Sequence, residues 1–82
     1  MAREILKRQK RDLDWIIGHN IQDLRIEHNL TREALAEMIE LVPSHIGLLE
    51  RGERGATPVT LVKLSKAFNK PIDYFFHPRK EK

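Results

Sequence analysis

Residues 30–52, LTREALAEMIELVPSHIGLLERG, constrain the fold more than any other stretch of the chain. They read as two short helices joined by a tight turn. Thr31 suits an N-cap, because its hydroxyl can accept a hydrogen bond from an amide that the helix itself leaves unpaired. In the segment from Arg32 to Ile39, periodicity places Leu35, Ala36, Met38 and Ile39 inward, with Glu33, Glu37 and Glu40 along the other side. Pro43 then opens the second helix, since proline has no amide hydrogen to waste at a first helical position. Ile46 and Leu49 lie at i, i+3 and face inward. Gly52 fits the left-handed position that closes a helix.

The same punctuation by proline, glycine and asparagine divides the chain into about five helices. The first, from about Asp14 to His28, carries Ile17, Ile21 and Leu24 at i, i+4, i+7, and Asn29 stops it. After the loop ERGA at 53–56, Thr57-Pro58 repeats the cap-then-proline start. Leu61, Leu64, Ser65 and Phe68 form the inner stripe of a fourth helix, which ends at Asn69. Residues 71–76, PIDYFF, give one last helical turn, stopped before Pro78. Residues 2–13, AREILKRQKRDL, have only Ile5, Leu6 and Leu13 as large apolar side chains. They leave two readings open, a basic arm or an extra helix docked on a partner. No strand pattern, repeat or low-complexity tract is present, so an all-α single domain follows. Its expected organisation is an N-terminal extension at 1–13, the domain at 14–77 and a charged tail at 78–82.

Eighty-two residues make one small domain, near the lower limit for a self-sufficient core. The absence of cysteine excludes a disulfide framework and any thiolate metal site. No apolar run approaches the ~20 residues that span a bilayer, and the charged N-terminus lacks the apolar segment of a signal peptide. A cytoplasmic protein with no membrane partner is expected. The net charge of +3 conceals a pattern: residues 1–13 carry +3, residues 14–50 carry −5 and residues 51–82 carry +5. Basic ends flanking an acidic middle suit a polyanion gripped by the flanks. His19, His28, His45 and His77 show no metal-ligand spacing. No nucleophile–base grouping and no glycine-rich phosphate loop stands out, so neither an enzyme nor a metal or organic cofactor is expected.

The Leu35-Ala36 pair in the first motif helix and the Leu49-Glu50-Arg51-Gly52 ending of the second carry a specific likeness. From about Ile16 to about Phe76, the chain resembles the Cro/repressor-type (XRE) helix-turn-helix family. The resemblance implies a five-helix, lambda-repressor-like DNA-binding domain whose motif, at about 31–52, sets its second helix into the major groove. It implies a structural ion pair between Arg25 and Glu50. It places base contacts at Pro43, Ser44, His45 and Leu48. Of these, only Ser44 and His45 can hydrogen-bond to base edges, and Leu48 can at most pack on a thymine methyl. Direct readout is therefore sparse, and DNA shape carries more of the specificity. Phosphate contacts fall to Thr31, Arg32, Arg51 and Arg54, with Lys7, Arg8, Lys10 and Arg11 adding nonspecific attraction if the N-terminal segment reaches DNA. Trp15 and Phe76 are expected to cap the bundle, and Tyr74, Phe75 and Phe76 to close the core or pair two copies.

The function implied is a bacterial or phage transcriptional regulator, repressor-like, acting as a homodimer on a palindromic double-stranded operator with half-sites roughly 34 Å apart. Phage repressors, restriction–modification controllers and antitoxins share this build, some with a regulatory partner protein. The competing class is a protein-interaction module on the same scaffold, with Leu48 and the basic N-terminal segment as its contact surface.

Overall fold

The computed structural model describes residues 2–78, with side chains from Asp12 onward. Among these residues the chain forms α1 (Ala2–Glu27), α2 (Arg32–Ile39), α3 (Pro43–Glu50), α4 (Pro58–Phe68) and a closing 3-10 turn (Ile72–Phe76), with no strand. The fifth helix anticipated from PIDYFF is thus a 3-10 turn. With Pro71 before it and Pro78 close behind, the segment is too short to gain from α-type pairing, and 3-10 geometry serves such single turns. The all-α architecture otherwise follows the punctuation. Thr31 Oγ1 accepts a hydrogen bond from Ala34 N at 3.0 Å, and Thr57 Oγ1 accepts one from Thr60 N at 3.1 Å. Pro43 and Pro58 each sit in the first turn of their helices.

All four α-helices end by one device. A residue with left-handed φ is followed by an amide that reaches back five positions, which satisfies a carbonyl the helix leaves open. Asn29 (φ 57°) precedes Leu30 N, which donates to Arg25 O at 2.9 Å; Gly52 (φ 72°) precedes Glu53 N, which donates to Leu48 O at 2.9 Å. Asn69 (φ 55°) does the same for Lys70 N and Ser65 O at 3.0 Å. At the end of α2 the left-handed residue is Glu40 (φ 62°), with Leu41 N donating to Ala36 O at 2.8 Å. Leu30 and Leu41, the residues just after two of these closures, pack against the core.

The core gathers Ile21, Leu24, Leu35, Ile46, Leu64 and Phe75 from all five elements, each essentially withdrawn from water. Two expectations fail. Met38 is 50% exposed: it lies roughly 100° around α2 from the centre of the Leu35–Ala36–Ile39 stripe. There it borders a shallow groove with Lys63, Lys66 and Ala67. Trp15 does not cap the bundle and is 56% exposed. Its backbone is pressed against Gly52, where an added Cβ would stand 3.1 Å from Trp15 Cα. Its ring lies edge-on to His19 with centroids 3.8 Å apart. Phe75 is fully buried, while Tyr74 and Phe76 are half-buried.

A third difference concerns the start of α1. It does not begin near Asp14 but runs back to Ala2, so the basic segment at 2–13 continues α1 as one helix. The residues of that segment are mostly good helix formers, with no proline or glycine to stop propagation. The charged tail expected at 78–82 lies outside the described residues from Arg79 on. No described helix is long and apolar enough to cross a membrane.

Two buried features hold α1 to the rest. Gly18 lets its backbone meet α3 directly: a Cβ there would lie 2.0 Å from Leu49 O and 2.9 Å from Glu50 O. Asn20, 1% exposed, donates from Nδ2 to Phe75 O at 3.0 Å and His77 O at 2.9 Å, with Tyr74 O at 3.4 Å sharing the amide. One side chain thereby ties α1 to the backbone of the closing turn and of His77 just after it.

Candidate nucleic-acid interface

The base of α3 is fixed by charge. Glu50, on its last turn, has no exposed side-chain surface. Arg25 Nε of α1 donates to Glu50 Oε2 at 2.6 Å, and Arg25 Nη2 donates to Oε1 at 3.3 Å. Arg32 Nε of α2 donates to Oε1 at 3.0 Å. Arg25 Nη1 also donates to Leu30 O at 2.9 Å. One carboxylate thus ties three helices together. The fork of an arginine matches two carboxylate oxygens in a plane, which gives direction as well as attraction. Arg32 as a second partner was not read from the sequence. The signal was there: a cation in the first turn of a helix opposes the helix dipole and calls for an anion nearby. Arg32, expected to grip a phosphate, is therefore turned onto Glu50. With 41% of its side chain exposed, it still borders the surface.

Above this base, α3 presents its N-terminal end outward. Pro43 and Ser44 are exposed, and His45 and Leu48 are half-buried. The cap residue is Val42, which has no side-chain acceptor to offer the first turn. Ile46 and Leu49 face the opposite way, into the core. Gly47 is buried, and the nearest atom a Cβ there would meet is Nη1 of the flexible Arg51 side chain, at 3.1 Å. The four residues singled out for base contact thus share the outward side of one short helix.

The residues expected to contact phosphate fall on either side of α3 in the chain. Thr31 is exposed and spends its hydroxyl on capping α2. At the far end, Arg51 Nε donates to Glu53 Oε2 at 2.9 Å. The Glu53 hydrogen bond and charge raise the Arg51 pKa above its ordinary value, so the guanidinium stays charged. Both partners are about half exposed. An ion pair so open to water and salt is strongly screened, so Arg51 can exchange Glu53 for another anion at small cost. Arg54 is exposed two residues beyond Gly52. Asp14 of α1 stands over this same loop: a Cβ on Gly55 would lie 2.9 Å from its Oδ1.

Two short helices, a left-handed turn between them and an outward second helix flanked by arginines define a helix-turn-helix domain. A helix-turn-helix family model matches residues 21–75. The chain belongs to that family, in its Cro/repressor (XRE) type. It is 39% identical over 61 residues to the control protein C.SmaI of Serratia marcescens, covering 74% of this chain and 73% of that protein. An uncharacterised HTH-type transcriptional regulator of Rickettsia prowazekii is 32% identical over 69 residues, and the match covers 84% of this chain but 53% of that protein. The crystal structure of the restriction-modification controller protein C.AhdI from Aeromonas hydrophila aligns with a TM-score of 0.72 at 32% identity, covering 79% of this chain and 97% of that one.

Proposed function

We propose that this protein is a sequence-specific, double-stranded DNA-binding transcriptional regulator that acts as a homodimer on a palindromic operator. The observation that carries this reading is the mounting of α3: its outward residues Pro43, Ser44, His45 and Leu48 stand on the buried Arg25–Glu50–Arg32 clamp. Ser44 and His45 read base edges, Leu48 packs on a thymine methyl, and Thr31, Arg51 and Arg54 hold phosphates on either side. Arg32 adds its exposed edge to that set while serving Glu50. Likeness to C.SmaI and C.AhdI favours the controller-protein kind over a phage repressor or an antitoxin. Phe75 is withdrawn into the core, so pairing of two copies falls to the half-buried Tyr74 and Phe76 and to exposed apolar side chains nearby in sequence, such as Ile72.

Selection from a random duplex library at near-physiological salt tests the reading. Enrichment of a palindrome is the expected result. Binding without enrichment, or no retained DNA, overturns sequence-specific regulation. Arg51→Ala with Arg54→Ala should weaken binding to every duplex and leave its melting temperature unchanged. The salt dependence should flatten by about 0.9 in log–log slope for each phosphate no longer neutralised. Substituting Ser44 or His45 should instead alter preference among sequences more than total affinity. Unchanged preference in both variants would remove α3's outward side from the assignment.

A further inference from the structure

Val42 fills neither of the roles that its position offers. It is the N-cap of α3, with extended backbone (φ −96°, ψ 152°) and no side-chain hydrogen bond to the first turn. The caps of α2 and α4 lie in the same extended region, Thr31 at φ −76°, ψ 165° and Thr57 at φ −74°, ψ 161°. Each of those closes its first turn through its hydroxyl. Valine has the shape of threonine, with a methyl in place of that hydroxyl. Extended backbone suits both β-branched residues, so it does not account for valine over threonine, and the cap hydrogen bond is forgone. Nor is the methyl recovered as core. Val42 is 59% exposed, whereas Leu41 beside it packs against the core. Among the described residues, Val42 is the one large exposed apolar side chain contiguous with α3. It leads directly into Pro43 and Ser44, both exposed, at the helix end that a helix-turn-helix sets against base edges.

We propose that Val42 is a specificity-determining residue that reads the 5-methyl group of thymine. This rests on the DNA-binding function proposed above and adds a base contact to Pro43, Ser44, His45 and Leu48. The major groove presents hydrogen-bond donors and acceptors at every base pair, but the apolar group it displays is the thymine methyl. A side chain with no polar atom, held in water at this end of α3, gains most by covering that group. Of the residues already assigned to bases, only Ser44 and His45 can hydrogen-bond to them. Methyl contacts therefore carry a larger share of the discrimination here than in a helix equipped with amide or guanidinium readers. Six positions of chain separate Val42 from Leu48, about 9 Å of helix. Base pairs stack about 3.4 Å apart, so the two side chains meet different base pairs.

The test uses the full chain and the duplex enriched from the random library, remade with deoxyuridine at one thymine position of the half-site at a time. Uracil lacks the methyl and keeps both the pairing and the O4 acceptor. Covering one methyl is worth about fourfold in affinity. For the native chain, uracil under Val42 and uracil under Leu48 should each weaken binding about fourfold per half-site. Val42→Ser removes both methyls and restores a hydroxyl cap, so its melting temperature should be no lower than the native one. The variant should bind the thymine duplex about fourfold more weakly per half-site. It should also lose the uracil penalty at one position of the half-site and keep it at the other. Absence of any uracil penalty overturns the proposal on the native chain alone. An enriched half-site without thymine does the same. Penalties that Val42→Ser leaves whole assign the methyls to Leu48 or to duplex deformability, and overturn the role of Val42 while operator recognition stands. Enrichment of no duplex at all removes the DNA-binding function itself.

Discussion

Glu50→Ala is expected to lower the unfolding free energy by about 3–5 kcal/mol, measured by urea denaturation. The size comes from what is left behind rather than from what the pair gains. Glu50 has no exposed side-chain surface and Arg25 only 13%. Taking two charges out of water offsets most of their attraction, so the intact pair is worth little net. Removing the carboxylate strands Arg25 in a site with no other anion among its described partners, and leaves Arg32 facing the positive end of α2. For a domain whose whole stability is about 5–15 kcal/mol, this approaches loss of the fold. Glu50→Gln should cost less, because the amide oxygen still accepts one of the arginine hydrogen bonds. A Glu50→Ala cost under about 1 kcal/mol, the range of an exposed pair, would mean that water reaches Arg25, and the clamp could no longer be what mounts α3.

Gly18→Ala should cost about 3 kcal/mol or more, by a different route. The added methyl would stand 2.0 Å from Leu49 O and 2.9 Å from Glu50 O. Both are backbone atoms in the last turn of α3, so no side chain can swing aside. The two helices must part along a surface that also carries Ile17, Ile21, Ile46 and Leu49, all buried. Overpacking a core commonly costs about 1–3 kcal/mol, and more where backbone has to move. In a domain of this size each kcal/mol shifts the melting temperature by about 4–8 °C, so a fall of at least ~12 °C is expected by calorimetry. A shift below about 4 °C, the equivalent of 1 kcal/mol, would show that α1 and α3 are not in backbone contact.

Much of the fold was legible because its signals are local. Thr31, Pro43, Thr57, Pro58, Asn69 and Gly52 each announce a helix end through their own backbone or side-chain chemistry, and the elements fall where they say. The stripe Ile17–Ile21–Leu24 was likewise readable from spacing alone. What escaped depended on partners far along the chain. Nothing local distinguishes Gly18 from a weak helix residue, or Asn20 from a polar surface residue, until the backbone of α3 and the carbonyls of residues 74–77 arrive beside them. Glu40 adopts a glycine-like conformation because the closure after α2 demands it, against its own preference. Met38 and Trp15 were misplaced for a related reason: hydrophobicity says that a side chain prefers shelter, not whether its direction on the helix finds any. In the candidate site, the resemblance pointed to residues 43–48, whose exposed or half-buried members Pro43, Ser44, His45 and Leu48 the fold turns outward, while the turn of Arg32 onto Glu50 needed the third dimension.

The bond from Asn20 to the closing turn has a consequence for how the chain comes into being. Its acceptors lie 54–57 residues downstream, and Phe75, fully buried in the core, travels with them. A ribosome making this protein delivers α1 through α4 before either arrives. Until residue 77 has cleared the exit tunnel, α1 holds a polar amide with no acceptor and the core lacks its largest fully buried side chain. Domains commonly fold as units during synthesis; this one must wait for residues 74–77. Arrested nascent chains that expose residues only as far as Lys70 should be open to protease throughout, and those extended past His77 should become resistant together.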